Sequence, residues 1–154
     1  MGPYRHIAAA LALHETSETV ARRALEITRA CGAELTLLHV IEYFPEDQPN
    51  ELIPPEDQDP ETFLRDRAHE RLVALAARIG AEDARIRVLI GEASAAEQLL
   101  AHCRRAGTDL ILVGAVGPRP IPALAGTLAE HLVRHGTIDV LAVCDDGNGT
   151  AVPS

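Results

Sequence analysis

The sequence contains no lysine. All fourteen of its basic residues are arginine, which we read as a bias of genome composition. That absence excludes a P-loop lysine and a Schiff-base lysine. Tryptophan is missing too, and aromatic residues make up only 3% of the chain, so a core must be built from Ala, Val, Leu and Ile. The arginines are outnumbered by 23 acids, for a formal net charge of −9. A surface of that sign repels phosphate backbones and argues against nucleic-acid binding through a broad basic face. The three cysteines, Cys31, Cys103 and Cys144, are odd in number and lack metal-ligand spacing. They read as small buried thiols in a reducing compartment. No apolar run approaches the roughly 20 residues of a membrane span, and "MGPYRHIAAALALHE" lacks a signal-peptide pattern. The expected setting is the cytoplasm, away from membranes.

What remains is an alternation of short apolar runs and helical patterns. "HIAAALAL" (6–13) is a short apolar run. "SETVARRALEITRACG" (17–32) places Val20, Ala24, Leu25, Ile27 and Cys31 near one face at helical spacing. "ELTLLHVI" (34–41) is a second buried-strand pattern. Strand, helix and strand joined by a few residues form the βαβ unit of a parallel sheet. The pattern continues through a helix from Pro60, capped by Asp59 and stopped at Gly80. It carries an apolar stripe of Phe63, Leu64, Ala68, Leu72, Leu75 and Ile79. A strand over 84–91, a helix opened by Ser94 and Glu97, a strand in "DLILVGA", a helix in "TLAEHLVRHG" and a last strand in "IDVLAV" follow. Five strands and four helices in this order predict one α/β domain over 1–145, a Rossmann-like, doubly wound parallel sheet. A polar tail occupies 146–154. Residues 42–61 hold eight acids, five prolines and no base. They read as a solvated acidic loop, or alternatively as a lid over a neighbouring site.

"VGAVGPRPIPALAGT" (113–127) is the stretch with the most chemistry. It follows the fourth strand, where doubly wound sheets bind ligands. Glycines let a backbone approach a phosphate, and a helix start adds unpaired N–H groups. Gly114, Gly117, Gly126 and Thr127 fit that role. Thr127 with Glu130 also makes a capping box, which needs no ligand. Elsewhere, His131 and His135 stand four apart with no carboxylate or Cys at a convincing spacing, and they read as surface histidines. His39 reads as a packed core residue. Ser17 and Ser94 read as helix caps, and no nucleophile elbow is present.

Taken in order, "YRHIAAALALHETSE", "AELTLLHVIE", "GTDLILVGAVG" and "LAEHLVRHGTIDVLAV" resemble the universal stress proteins over almost the whole chain. The resemblance implies strand order 3-2-1-4-5, a homodimer, and ATP or AMP as the cofactor of those members that bind one. The binding members share Gly, two residues, Gly, nine residues, Gly, then Ser or Thr. Here Gly114, Gly117, Gly126 and Thr127 follow that frame, but only eight residues, Pro118 to Ala125, separate the second and third glycines. Pro118, Pro120 and Pro122 donate no N–H. Arg119 offsets part of that loss if it reaches a phosphate directly. Ala12 stands where binding members carry an Asp that contacts the nucleoside, and the backbone of Val40 corresponds to the group that pairs with the adenine edge.

The resulting expectation is a dimeric regulatory module with weak or absent adenine-nucleotide binding, alternatively a competent ATP or AMP sensor. The dimer is expected on the last strand (Ile138, Val140, Leu141, Val143), an apolar edge that invites pairing, with Leu141 and Val143 as anchors on one face. A third reading, hydrolysis of an adenylated or phosphorylated substrate such as ATP, finds no nucleophile–base pair or metal set to support it.

Overall fold

The computed structural model describes residues 2–14, 16–43, 59–115 and 127–144. It contains strands β1 (His6–Ala10), β2 (Glu34–Glu42), β3 (Arg85–Gly91), β4 (Leu110–Gly114) and β5 (Asp139–Val143). They alternate with helices α1 (Ser17–Cys31), α2 (Pro60–Ile79), α3 (Ala95–Ala106) and α4 (Thr127–His135). The five strands form one sheet in the order β3-β2-β1-β4-β5, and every pairing is parallel.

Alternation along each strand divides the core into two layers, because successive side chains leave opposite faces of a sheet. Ile7 and Ala9 of β1, Leu35 and Leu37 of β2, and Leu110 and Leu112 of β4 face α1 and α2, where they meet Val20, Ala24, Leu72, Leu75 and Ile79. Ala8, Leu38, Ile111 and Val113 leave by the other face and pack with Leu99, Cys103 and Leu132 of α3 and α4. This is the doubly wound arrangement that the strand–helix alternation predicts.

Local chemistry sets the helix ends. The Asp59 carboxylate accepts the Thr62 N–H at 3.0 Å, and Pro60 occupies the first turn, where a missing N–H costs nothing. α2 stops at Gly80 with φ of 79°, a left-handed conformation that glycine adopts without penalty. Ser94 Oγ accepts the Glu97 N–H at 3.2 Å and caps α3. Ser17 departs from its expected role. It lies inside α1, whose N-cap is Thr16, and its hydroxyl accepts the backbone N–H of His14.

The acidic segment is shorter than 42–61 at both ends. Glu42 completes β2 and Asp59 to Glu61 belong to the start of α2; residues 44–58 lie outside the described residues. Cys31 and Cys103 are buried as expected, but Cys144 is exposed, because it follows the last residue of the edge strand. Among the described residues no helix is long and apolar enough to cross a membrane.

Candidate functional site

The strand order reverses at β1, which pairs with β2 on one side and β4 on the other. The chain leaves β1 for α1 on one face of the sheet and leaves β4 toward α4 on the other. Diverging connections open a crevice at the carboxyl ends of such strands. Register brings three of the sequence-predicted residues to this end. Ala10 is level with Leu38 of β2 and Val113 of β4. Val40 lies two residues beyond Leu38 in β2 and Gly114 one beyond Val113 in β4, while Ala12 follows the end of β1 by two residues. Thr127, the fourth, is the first residue of α4. Gly117, Arg119 and Gly126 lie outside the described residues.

The turn after β1 is held by groups far away in sequence. The Leu11 N–H donates to Leu38 O at 2.7 Å. His39 Nδ1 stands 2.6 Å from Leu11 O, and since a carbonyl only accepts, the proton sits on Nδ1. Arg71 of α2 donates to Leu13 O. Leu13 itself has φ of 61°, rare for a residue with a branched side chain, while its side chain is only 9% exposed within the core. Two side chains and a core anchor thus fix the backbone on either side of Ala12, whose own side chain is exposed. His14 does not supply a substitute there: its Nδ1 is engaged by the Thr16 hydroxyl at 2.8 Å and lies 3.3 Å from the Thr16 N–H. Arg71 and the left-handed Leu13 carry no local sequence signal, and sequence reasoning missed both.

On the far side of β2 the polar groups are already partnered. Glu42 Oε1 accepts the Ala95 N–H at 2.7 Å, closing the first turn of α3 together with Ser94. Gln98 Nε2 bridges the carbonyls of Ile41, Gly91 and Ala93 at 2.8–3.2 Å. The first N–H groups of α3 at Ala95 and Glu97 are therefore engaged within the chain.

His39 is packed as the sequence suggests, and burial lowers its pKa below the usual histidine value of 6.5, with the Arg71 charge adding to the effect. The unfolded chain takes up the proton first as pH falls, so His39 contributes its full stability above pH 6.5 and loses it progressively below that value. His102 shifts in the same direction, mainly through burial. The variant His39→Asn keeps a donor toward Leu11 O without a titrating ring. Thermal unfolding at about pH 7.5 and about pH 5.5 should show a smaller loss for the variant than for the wild type; equal losses would remove His39 from the pH response.

Gly114 tests whether its glycine serves the fold. A Cβ built there meets only Val20 Cγ2, at 3.6 Å, an ordinary contact. Gly114→Ala should unfold within about 1 kcal/mol of the wild type. A larger loss would mean that the fold itself requires the glycine.

The last strand lies at the sheet edge as expected, with one correction. Val143 is 6% exposed and belongs to the core beside α1 and α2, so it is not free to anchor a partner. Leu141, on the same side of the strand, is 37% exposed. Val140 and Ile138 pack partly against the α3–α4 core layer.

Comparison with known proteins agrees with this architecture. Universal stress protein A homolog 1 of Coxiella burnetii is 30% identical over 140 residues, which is 91% of this chain and 96% of that protein. A crystal structure of a universal stress protein in complex with cAMP is similar at a TM-score of 0.63 and 24% identity, covering 93% of this chain and 98% of that one. The universal stress protein from Archaeoglobus fulgidus in complex with dAMP is similar at a TM-score of 0.62 and 16% identity, covering 92% and 97%. Residues 3–143 match the model of the Universal stress protein family, and the chain belongs to that family.

Proposed function

We propose that this universal stress protein is a cytoplasmic regulatory module that binds adenine nucleotide, AMP or ATP, only weakly at the carboxyl-end crevice. The observation that carries this reading is Ala12. It is exposed on a fixed turn at the reversal point of the sheet, and it offers no carboxylate to a nucleoside. In this reading the Val40 backbone meets the adenine edge. Amides of Gly114, Gly117 and Gly126, with Thr127 at the start of α4, face the phosphates, and Arg119 adds a direct charge. The cAMP and dAMP complexes of similar folds support an adenine nucleotide as the ligand class. The glycine frame favours a second reading, a competent ATP or AMP sensor. Mass spectrometry of ligand released from the purified protein separates the two: an empty or substoichiometric preparation supports weak binding, and stoichiometric nucleotide supports the sensor. Binding and regulation, rather than turnover, is the activity proposed in either case.

We propose further that the working form is a homodimer, paired along the β5 edge, with exposed Leu141 as the anchor. Light scattering should give about twice the 16.5 kDa chain mass, and Leu141→Arg should shift it toward the monomer. A wild-type monomer contradicts the dimer, and an unchanged dimer in the variant moves the interface elsewhere.

A further inference from the structure

We propose that His131 and His135 of α4 form a two-point chelate for a divalent transition-metal ion, separate from the nucleotide crevice. The spacing alone leaves this open, since two histidines four apart on a helix share a face whether or not they can bite one ion. The structure adds the ring separation. The imidazole centres are 4.5 Å apart and the rings are tilted by 48°. With metal–nitrogen bonds of about 2.0–2.1 Å, each ring centre of a bound imidazole lies about 3.2 Å from the ion. Two such rings at a right angle around one ion have centres about 4.5 Å apart, and at the tetrahedral angle about 5.2 Å. The observed separation matches the first and lies within a small side-chain adjustment of the second.

The surroundings leave the ligand atoms available. His131 is half-buried and His135 exposed, and neither imidazole has a hydrogen-bond or ion-pair partner among the described residues. The helix is held in place by Leu132, which is fully buried, so little order is lost when an ion binds. His135 is the last residue of α4, where the helix dipole presents partial negative charge. The net charge of −9 draws cations toward the whole molecule. Arg134 and Arg104, which reaches His135 O at 3.5 Å, oppose the ion and limit its affinity. Among the described residues no group of three or more metal-ligating side chains occurs, so water completes the coordination shell. Imidazole nitrogen suits copper, nickel and zinc, in the order Cu²⁺ above Ni²⁺ and Zn²⁺.

The test titrates metal-free protein with Cu²⁺, Ni²⁺ and Zn²⁺ by calorimetry and follows the unfolding temperature in parallel. One ion per chain is expected, with a rise in unfolding temperature. His131→Gln and His135→Gln should each weaken binding at least tenfold, because a chelate becomes a single ligand. A second comparison holds the histidine count constant. His135→Gln combined with Val133→His puts the rings two apart, on different faces of the helix, and should bind no better than His135→Gln alone. Undiminished binding in the single variants, or in the relocated pair, overturns the proposal and assigns the ion to other exposed ligands such as His6 with Glu34.

Discussion

Ala12→Asp is expected to tighten adenine-nucleotide binding by about tenfold or more. A hydrogen bond from a neutral donor to a carboxylate is worth roughly 1.5–3 kcal/mol, and about 1.4 kcal/mol corresponds to a factor of ten. The gain depends on the new carboxylate being held in place rather than free to turn away. The structure meets that condition. Leu11 O is bound by His39, Leu13 O by Arg71, and the Leu13 side chain is set in the core, so the backbone at position 12 is fixed before any ligand arrives. An opposing effect is the repulsion between the added carboxylate and the phosphates of the ligand on a chain that already carries −9. Charges further apart than about 8 Å are largely screened at physiological salt, and the hydrogen bond is local. The increase should therefore persist when salt is raised. Calorimetric titration of ATP and AMP into wild type and variant measures it. Equal affinities would show that the crevice does not place a nucleoside next to residue 12.

The second large effect is expected from Leu132→Ala, at about 2–5 kcal/mol of lost stability. α4 has nine residues, too few to persist in water on helical propensity alone, and it depends on docking. Leu132 is fully buried against Leu99, Leu100, Cys103 and Ile111 in the layer shared with α3. Its carbonyl accepts the Gly136 N–H at 3.0 Å, and a Cβ at position 136 would stand 2.6 Å from that oxygen. The helix end is therefore closed around this residue. Domains of this size have only about 5–15 kcal/mol in total, so the loss is a large share. Chemical denaturation with unchanged slope and a lower midpoint is the expected result. A change below about 1 kcal/mol would mean that α4 is held by something other than Leu132. The effect extends to Thr127, proposed above to face the phosphates, because it begins the same helix.

The parts of this fold that were legible in the sequence are those set by neighbouring residues. The short continuous apolar runs in "HIAAALAL" and "ELTLLHVI" give strands because a strand of a parallel sheet is buried on both faces, and Asp59 and Ser94 mark helix starts because a cap acts over three residues. The candidate site was legible mainly through the family resemblance, which singles out Ala12 and Val40, while Gly114 could be placed at the carboxyl end of β4 from the strand pattern. What was not legible depends on contacts across the chain. The left-handed turn at Leu13 runs against the preference of leucine and is tied to Arg71, 58 residues away. Val143 and Leu141 share one side of β5, yet only tertiary packing decides that one is buried and the other exposed. His131 and His135 show the same limit, since spacing states that they share a face and not how far apart the rings stand.

The most direct test of weak nucleotide binding is a calorimetric titration of ATP into the unmodified, nucleotide-free protein at physiological salt. The expected result is heats that fit a dissociation constant weaker than about 10 µM, corresponding to less than about 7 kcal/mol of binding free energy, or heats indistinguishable from dilution. Stoichiometric binding at low micromolar concentration or tighter would contradict it, and would show that the remaining amides and Arg119 suffice without a carboxylate at position 12.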